Sequence, residues 1–244
     1  MSVLTAKRSK KPTPAEAVFL LENGATMDQP TFHELYKLTP EGFKAELIGG
    51  IVYVRASPTK IRHGRPHARI VYWLSVYSDD SDGTEALDNT TNILGEESEP
   101  QPDACLYVLP EFGGLVSFEA DYLTGPPDLF VEVANSSVAI DLGRKKSDYE
   151  QYGVREYLVV LAKEQSVVWF TLESGSFREL APGADGLFRS AVFPGLWLDP
   201  KGLFSETTRP LTKAVRKGLA SPEYAAFVAE LKARRTKHRK RKGK

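Results

Sequence analysis

Three stretches of the chain carry side chains whose types and spacing could do chemistry. Gln101-Pro102-Asp103 opens a run of strand-forming residues, Glu132 stands inside the apolar run Leu129-Phe130-Val131-Glu132-Val133, and Lys145 follows in Asp141-Leu142-Gly143-Arg144-Lys145-Lys146. A carboxylate among Phe and Val on a buried strand is costly unless a cation pairs with it. Two carboxylates on adjacent strands plus a lysine are what a hard divalent cation and an activated water require, since Mg²⁺ prefers oxygen ligands and usually takes only one or two carboxylates. Each stretch also has a plain reading. Asp103 can cap a turn after proline, Glu132 can face solvent from an edge strand because Leu129, Val131 and Val133 alternate with it, and Lys145 and Lys146 can be solvated helix lysines. His63 and His67, four apart, have metal-ligand spacing on a helical face. Pro66 disfavours a regular helix through residue 65, however, and no third nitrogen or sulfur ligand accompanies them, so they read as surface or capping histidines.

The elements that must position these residues follow from periodicity and turn chemistry. Residues 1–30 contain three prolines and no sustained period, which predicts a loose arm with one short helix around Pro14–Glu22. Thr31–Leu38 reads as a helix capped by Thr31, with Glu34 three residues on and Pro40 beyond its end. Lys44–Ile48 and Ile51–Arg55 flank Gly49-Gly50, a hairpin signal, and Ser57–Pro58 breaks the second strand. His67–Tyr77 places Ile70, Val71, Leu74 and Tyr77 on one helical face. Strands are predicted at Thr84–Leu87, Thr91–Leu94 and Ala104–Leu109, a loop at Glu111–Thr124, and a buried strand at Asp128–Ala134. A helix over Asp141–Tyr152 ends at Gly153. Strands follow at Glu156–Leu161, Val167–Leu172 and Phe177–Leu180, then helices at Thr207–Lys217, stopped by Gly218, and Ser221–Arg235. This order predicts one mixed α/β domain.

Composition bounds the function classes. The 244 residues are 41% hydrophobic and 10% aromatic, enough for a core. No apolar run approaches the ~18 residues of a membrane span, and the first thirty residues lack a signal-peptide hydrophobic region, so the reading is a soluble, cytoplasmic protein. A lone cysteine, Cys105, excludes an internal disulfide framework and a zinc site built on several thiolates. The formal net charge of zero hides a segregation. Lys7, Arg8, Lys10 and Lys11 stand at the start without a nearby acid. Lys232, Arg234, Arg235, Lys237, Arg239, Lys240, Arg241, Lys242 and Lys244 stand at the end, again without an acid. The remainder carries 19 basic against 32 acidic side chains, a formal charge of −13. The basic C-terminal tail can bind nucleic acid by counterion release, or merely keep the protein in solution.

These pieces in order resemble a known family. Ala45-Glu46-Leu47-Ile48-x-Gly50, Ser57-Pro58 followed by His63, Gln101-Pro102-Asp103 and Gly125-Pro126-Pro127-Asp128-Leu129-Phe130-Val131-Glu132-Val133-Ala134-x-Ser136-Ser137 look like the Uma-type family of putative restriction endonucleases, within the PD-(D/E)XK nuclease superfamily. The match continues through Asp141-x-Gly143-Arg144-Lys145-x-x-x-Tyr149 and Gly153-Val154-x-Glu156-Tyr157, and covers roughly Thr31 to Leu180. Single pieces such as Pro-Asp are nearly worthless as motifs; their order and spacing are specific. The plain superfamily pattern has a lysine two residues after the second acid, where this chain has Ala134. The resemblance therefore moves the lysine to the next helix, at Lys145, with Lys146 as the neighbouring alternative.

The resemblance implies a restriction-endonuclease-like fold: a central mixed sheet flanked by helices in a single domain over 31–200, after a loose arm (1–30) and before C-terminal helices and a basic tail (201–244). It implies metal-dependent hydrolysis of DNA phosphodiester bonds. Asp103, Glu132 and the backbone carbonyl of Val133 would hold Mg²⁺, or Mn²⁺ in its place, with Lys145 orienting and activating the attacking water. Glu46 would be an outer metal ligand or a brace for Lys145, His63 a phosphate contact, and Tyr149 a residue packed beneath the site. DNA is the implied partner, and a homodimer the implied assembly. Arg234, Arg235, Lys237, Arg239, Lys240, Arg241 and Lys242 are the candidate nucleic-acid contacts of the tail. The readings that compete are a non-catalytic nucleic-acid-binding or scaffold protein that keeps the nuclease fold, and a metal-dependent hydrolase of another phosphate ester.

The charge pattern makes a prediction of its own. Removing residues 232–244 should lower the slope of log affinity for duplex DNA against log salt by about three to five, fewer than the full set of tail charges would give. An unchanged slope in a binding titration of the truncated protein makes the tail a solubilising end.

Overall fold

The computed structural model describes residues 11–55 and 60–242, with the side chains of residues 240–242 outside that description. Lys7, Arg8, Lys10 and the Ser57-Pro58 break lie outside it as well. Two short helices, α1 (Pro14–Leu20) and α2 (Gln29–Tyr36), precede a hairpin of β1 (Ala45–Ile48) and β2 (Ile51–Val54). Then come α3 (Ile61–Asp80), β3 (Thr84–Asp88), β4 (Asn92–Ile93), β5 (Ala104–Val108), β6 (Ser117–Glu119), β7 (Tyr122–Thr124) and β8 (Leu129–Ala134). A wide π-type turn, Ile140–Lys145, runs directly into α4 (Lys146–Gln151). The chain ends with β9 (Glu156–Leu161), β10 (Ser166–Glu173), β11 (Ser176–Glu179), β12 (Phe188–Arg189), β13 (Trp197–Leu198), α5 (Pro200–Phe204), α6 (Arg209–Leu219) and α7 (Pro222–Lys242).

Six strands form the central sheet in the order β11-β10-β9-β8-β5-β3. Only β8 and β9 run parallel; every other neighbouring pair is antiparallel. Alternation along the strands divides the core between the two faces. Leu106, Leu129, Val131, Leu158 and Trp169 pack on one face under α3, α6 and α7. Cys105, Phe130, Tyr157 and Val159 pack on the other with Tyr149 of α4. The predicted mixed α/β domain with a helix-flanked sheet is the observed architecture. A third, smaller core of Leu21, Phe32, Ala45, Leu47 and Val52 joins the N-terminal helices to the hairpin.

Several local expectations are corrected. Of the predicted loose arm, residues 1–10 lie outside the described residues, whereas residues 11–30 are docked: Leu21 is fully buried, and Thr13 closes a capping box with Glu16. α2 starts at Gln29 because Asp28, not Thr31, is its cap and accepts the Thr31 N–H. Pro66 does not delay α3, which begins at Ile61 and carries the proline inside it. The predicted loop at Glu111–Thr124 contains the β6–β7 hairpin, and β4 pairs with β7 in parallel. Gly218 does not stop α6. It lies within the helix, where a Cβ would come within 2.0 Å of the Gly195 carbonyl oxygen, so only glycine permits that approach.

The β1–β2 hairpin turns at Gly49 (φ +54°) and Gly50 (φ +71°), both in the left-handed region that a two-residue turn of this hand needs. Asp148 of α4 fastens this turn: its Oδ1 accepts the Gly49 N–H at 3.0 Å, and its Oδ2 accepts the Ser98 hydroxyl at 2.5 Å. The small N-terminal unit is thereby tied to the helix that follows Lys145. Asp148→Ala should cost about 1–3 kcal/mol through the unsatisfied partners it leaves, read as a lowered midpoint in denaturant unfolding. A variant as stable as the wild type removes Asp148 from this role.

Candidate active site

The antiparallel register of β5 and β8 pairs Ala104 with Val131, and one step further brings Asp103 opposite Glu132. The two carboxylates thus share a face, and like charges directly opposite one another are destabilising. Both are buried, and Glu132 is only 2% exposed on a central strand, which excludes the solvent-facing edge reading. Asp103 Oδ2 accepts the Val133 N–H at 2.7 Å, locking its side chain across the strand pair. Asp103 is therefore more than a turn cap.

Positive charge reaches this pair from two elements. The π-type turn adds a residue to the helical path and delivers Lys145 inward, where Nζ donates to Glu132 Oε1 at 2.8 Å and to Glu46 Oε1 at 2.9 Å. Such wide turns recur at functional sites. Tyr149, four residues on, donates its hydroxyl to the same Glu132 oxygen at 3.1 Å. It therefore touches the site as well as packing beneath it. Lys146 turns away, with its ammonium 4.9 Å from the Phe170 ring centroid. The second cation is Arg55, directly after β2. Its guanidinium contacts Glu46 at 2.9 and 3.2 Å, donates to the Gln101 carbonyl at 2.8 Å, and stands 3.5 Å from both Asp103 Oδ1 and Glu132 Oε2. Glu46 also accepts the Gln101 N–H at 2.7 Å, so it braces both cations and the strand leading to Asp103.

The charge states follow from burial and neighbours. Burial pushes the Glu132 carboxyl up to about 8 against the pull of Lys145, and Asp103 adds to the push. Burial acts on Glu46 in the same sense, but Lys145 and Arg55 outweigh it and hold that carboxyl down at about 2. Lys145 is held above the ordinary lysine value because Glu132 and Glu46 overcome the effect of burial, so it stays an ammonium. Asp141, buried in the π-type turn, is raised by burial despite Lys145 and accepts from the Ser137 hydroxyl at 2.6 Å.

His63 and His67 are partly exposed, and each holds a backbone carbonyl beside the site. His63 Nδ1 lies 2.9 Å from the Val133 carbonyl, which can only accept, so that nitrogen carries a proton. Its Nε2 lies 3.6 Å from Asp103 Oδ1, at the mouth of the site. His67 Nε2 braces Asp88 and the Asp103 carbonyl at 2.8 and 3.0 Å. Of the tail residues, Arg234 pairs with Glu230 and Arg235 lies 4.9 Å from the Phe112 ring centroid, while Lys237 and Arg239 are exposed. The side chains of Lys240, Arg241 and Lys242 lie outside the described residues. Phe112 follows the end of β5 opposite Asp103, so the tail is rooted roughly 17 Å or more from the acid pair, the length of that strand.

Among the described residues no three His, Cys, Asp or Glu side chains converge as a metal cage. A two-carboxylate Mg²⁺ site needs no such cage. Asp103 Oδ1 and Glu132 Oε2 both face the Arg55 guanidinium, so the place between them already holds a positive charge, and their hard oxygens suit a divalent cation.

A family described as "Uma2: Putative restriction endonuclease" matches residues 30–201, well over half of the chain. The chain belongs to the Uma2 family. A crystal structure of "a putative nuclease belonging to DUF820" from Anabaena variabilis superposes with a TM-score of 0.54 at 16% identity, covering 70% of this chain and 96% of that one. That likeness shows the fold. No curated protein matches the chain.

Arg55 escapes the motif reading, and Asp141, although it opens one of the motifs, is given no role by it. Arg55 had a signal: Glu46 pairs with Tyr53, so residue 55 lies diagonally across the hairpin from Glu46 on the same face. Arg55→Met should destabilise the protein without added metal by roughly 2–4 kcal/mol, because three acids then share one cation. Mg²⁺ should raise its melting temperature by more than it raises that of the wild type. Equal metal-induced shifts in the two proteins would separate Arg55 from the acid pair.

Proposed function

We propose that this chain is a Mg²⁺-dependent endonuclease that hydrolyses phosphodiester bonds in DNA, with Mn²⁺ able to replace Mg²⁺ and a homodimer as the working assembly. The observation that carries the reading is the opposed pair Asp103 and Glu132, buried side by side and straddled by a guanidinium 3.5 Å from one oxygen of each. Asp103, Glu132 and the Val133 carbonyl are the groups that would hold the ion. A bound Mg²⁺ supplies Lewis-acid polarisation of the phosphoryl oxygen and offsets charge in the transition state.

This chain's own residues do the rest. Lys145 remains protonated between Glu46 and Glu132, so its part is to orient the attacking water and stabilise the negative charge that develops on it, not to take its proton. Glu46 fixes the positions of both Lys145 and Arg55. With an ion held by Asp103 and Glu132, Arg55, still anchored on Glu46, would have N–H groups free for a phosphate oxygen. His63, held by Val133, closes the site on the side of α3.

The test is cleavage of supercoiled plasmid with Mg²⁺ or Mn²⁺ and a chelator control, paired with calorimetric metal titration. Asp103→Ala and Glu132→Ala should lose both metal binding and cleavage. Lys145→Met should keep metal binding and lose turnover by about 10²–10³-fold. Lys146→Ala, which faces Phe170, should keep most activity. A wild-type protein that binds DNA but never cleaves it returns the non-catalytic reading.

A further inference from the structure

The body is acidic, the site is rich in carboxylates, and the basic tail is rooted at the other end of β5. A DNA strand at Asp103 and Glu132 therefore needs positive charge from elsewhere. The first turns of α3 supply it. Arg62 and Arg65 line a cavity of about 250 Å³ with Gln165, walled by Ala162, Leu203 and Phe204, and no carboxylate among the described residues lines it. Among the described residues the arginines paired with acids are Arg55, Arg155, Arg189 and Arg234, so neither cavity arginine is neutralised there. One turn deeper, Arg69 is buried with its guanidinium donating to the Leu203 carbonyl at 2.7 Å and facing no acid among the described residues. Arg62, Arg65 and Arg69 recur at the i, i+3, i+7 spacing of one helical stripe.

The cavity adjoins the candidate site. Ala162 donates its N–H to the carbonyl of Ala134, the last residue of β8 and two residues beyond Glu132. His63, between the arginines in sequence, holds the Val133 carbonyl. Strand spacing and rise put Ala162 on the order of 10 Å from Glu132 along the sheet. The cavity lies on the α3 face and the acid pair on the α4 face, and the two meet at the end of β8, where His63 comes 3.6 Å from Asp103.

We infer that Arg62 and Arg65 form a phosphate-binding subsite that seats a backbone phosphate of the DNA strand beside the one presented to Asp103 and Glu132. The planar forks of two arginines suit the non-bridging oxygens of a phosphodiester. The inference rests on the endonuclease reading and deepens it by giving the strand a path along the N-terminal end of α3.

Binding of a duplex by the full-length protein without divalent metal, measured by fluorescence anisotropy over a salt series, tests it. Arg62→Gln/Arg65→Gln should weaken binding roughly tenfold and reduce the log–log salt slope by about one to two. Its Mg²⁺-induced thermal shift should match the wild type's, since neither side chain touches the acid pair. Arg178→Gln/Lys213→Gln, which removes the same charge from other exposed positions, should leave the slope nearly unchanged. An unchanged slope in the Arg62/Arg65 variant, or an equal loss in the control, overturns the subsite. If inorganic phosphate stabilises the wild type through these arginines while the DNA slope stays fixed, the cavity takes a free phosphate and the strand assignment falls. A wild type that binds no duplex refutes the endonuclease reading along with the subsite, whereas a wild type that binds and a variant that binds equally well refute the subsite alone.

Discussion

Two carboxylates buried opposite one another in the middle of a sheet are the constraint around which this molecule is arranged. Asp103 and Glu132 face each other across β5 and β8 with almost no access to water. Buried charges of one sign persist only when countercharge and hydrogen bonds surround them. The Val133 N–H, the Tyr149 hydroxyl, the Lys145 ammonium and the Arg55 guanidinium all converge on the pair. Glu46, Asp103 and Glu132 outnumber Lys145 and Arg55 only when Glu132 is ionised. With its carboxyl pushed up to about 8 the charges nearly balance at neutral pH, and a further cation is attracted by the ionised form.

The N-terminal unit has a purpose in this light. Its small core could not stand alone at that size, and its contribution to the site is made through one face of a short hairpin. Glu46 and Arg55 project from that face, and the Gly49-Gly50 turn fastened to Asp148 holds the face against α4. The hairpin brings in both an acid and a base, so docking it adds little net charge to the site while fixing where Lys145 can lie.

How much of this was legible in the sequence depended on whether the signal was local. Glu132 stood out because a charge in an apolar run must be explained, and Asp103 because a proline fixed the entry to its strand. Lys145 came from family order, not from local pattern, since the wide turn at Ile140–Lys145 has no period by which to recognise it and a regular helix was expected instead. The docking of α1 was missed because its buried face is a single alanine, Ala17. The β6–β7 hairpin has only three residues per strand, too few for alternation to register. Gly218 was read as a stop because glycine usually is one, whereas here the missing side chain admits a neighbouring backbone. His63 and His67 fit the reading as capping histidines, but Pro66 hides the helix that carries both of them to the site.

Glu46, Asp103, Glu132 and Lys145 come from four elements separated by as many as 99 residues, the span between the hairpin glutamate and the lysine that it contacts. Apart from the contact of Lys145 with Glu132, thirteen residues away, their mutual contacts join distant parts of the chain, so the whole cluster is a product of high contact order and takes shape late, after the loop entropy of the body has been spent. A partly folded chain, or one still lacking its α4, carries the acids and the lysine without their arrangement. The ability to cut a strand, on this geometry, arises together with the finished fold and disappears with the first sub-global opening that lifts the hairpin from α4.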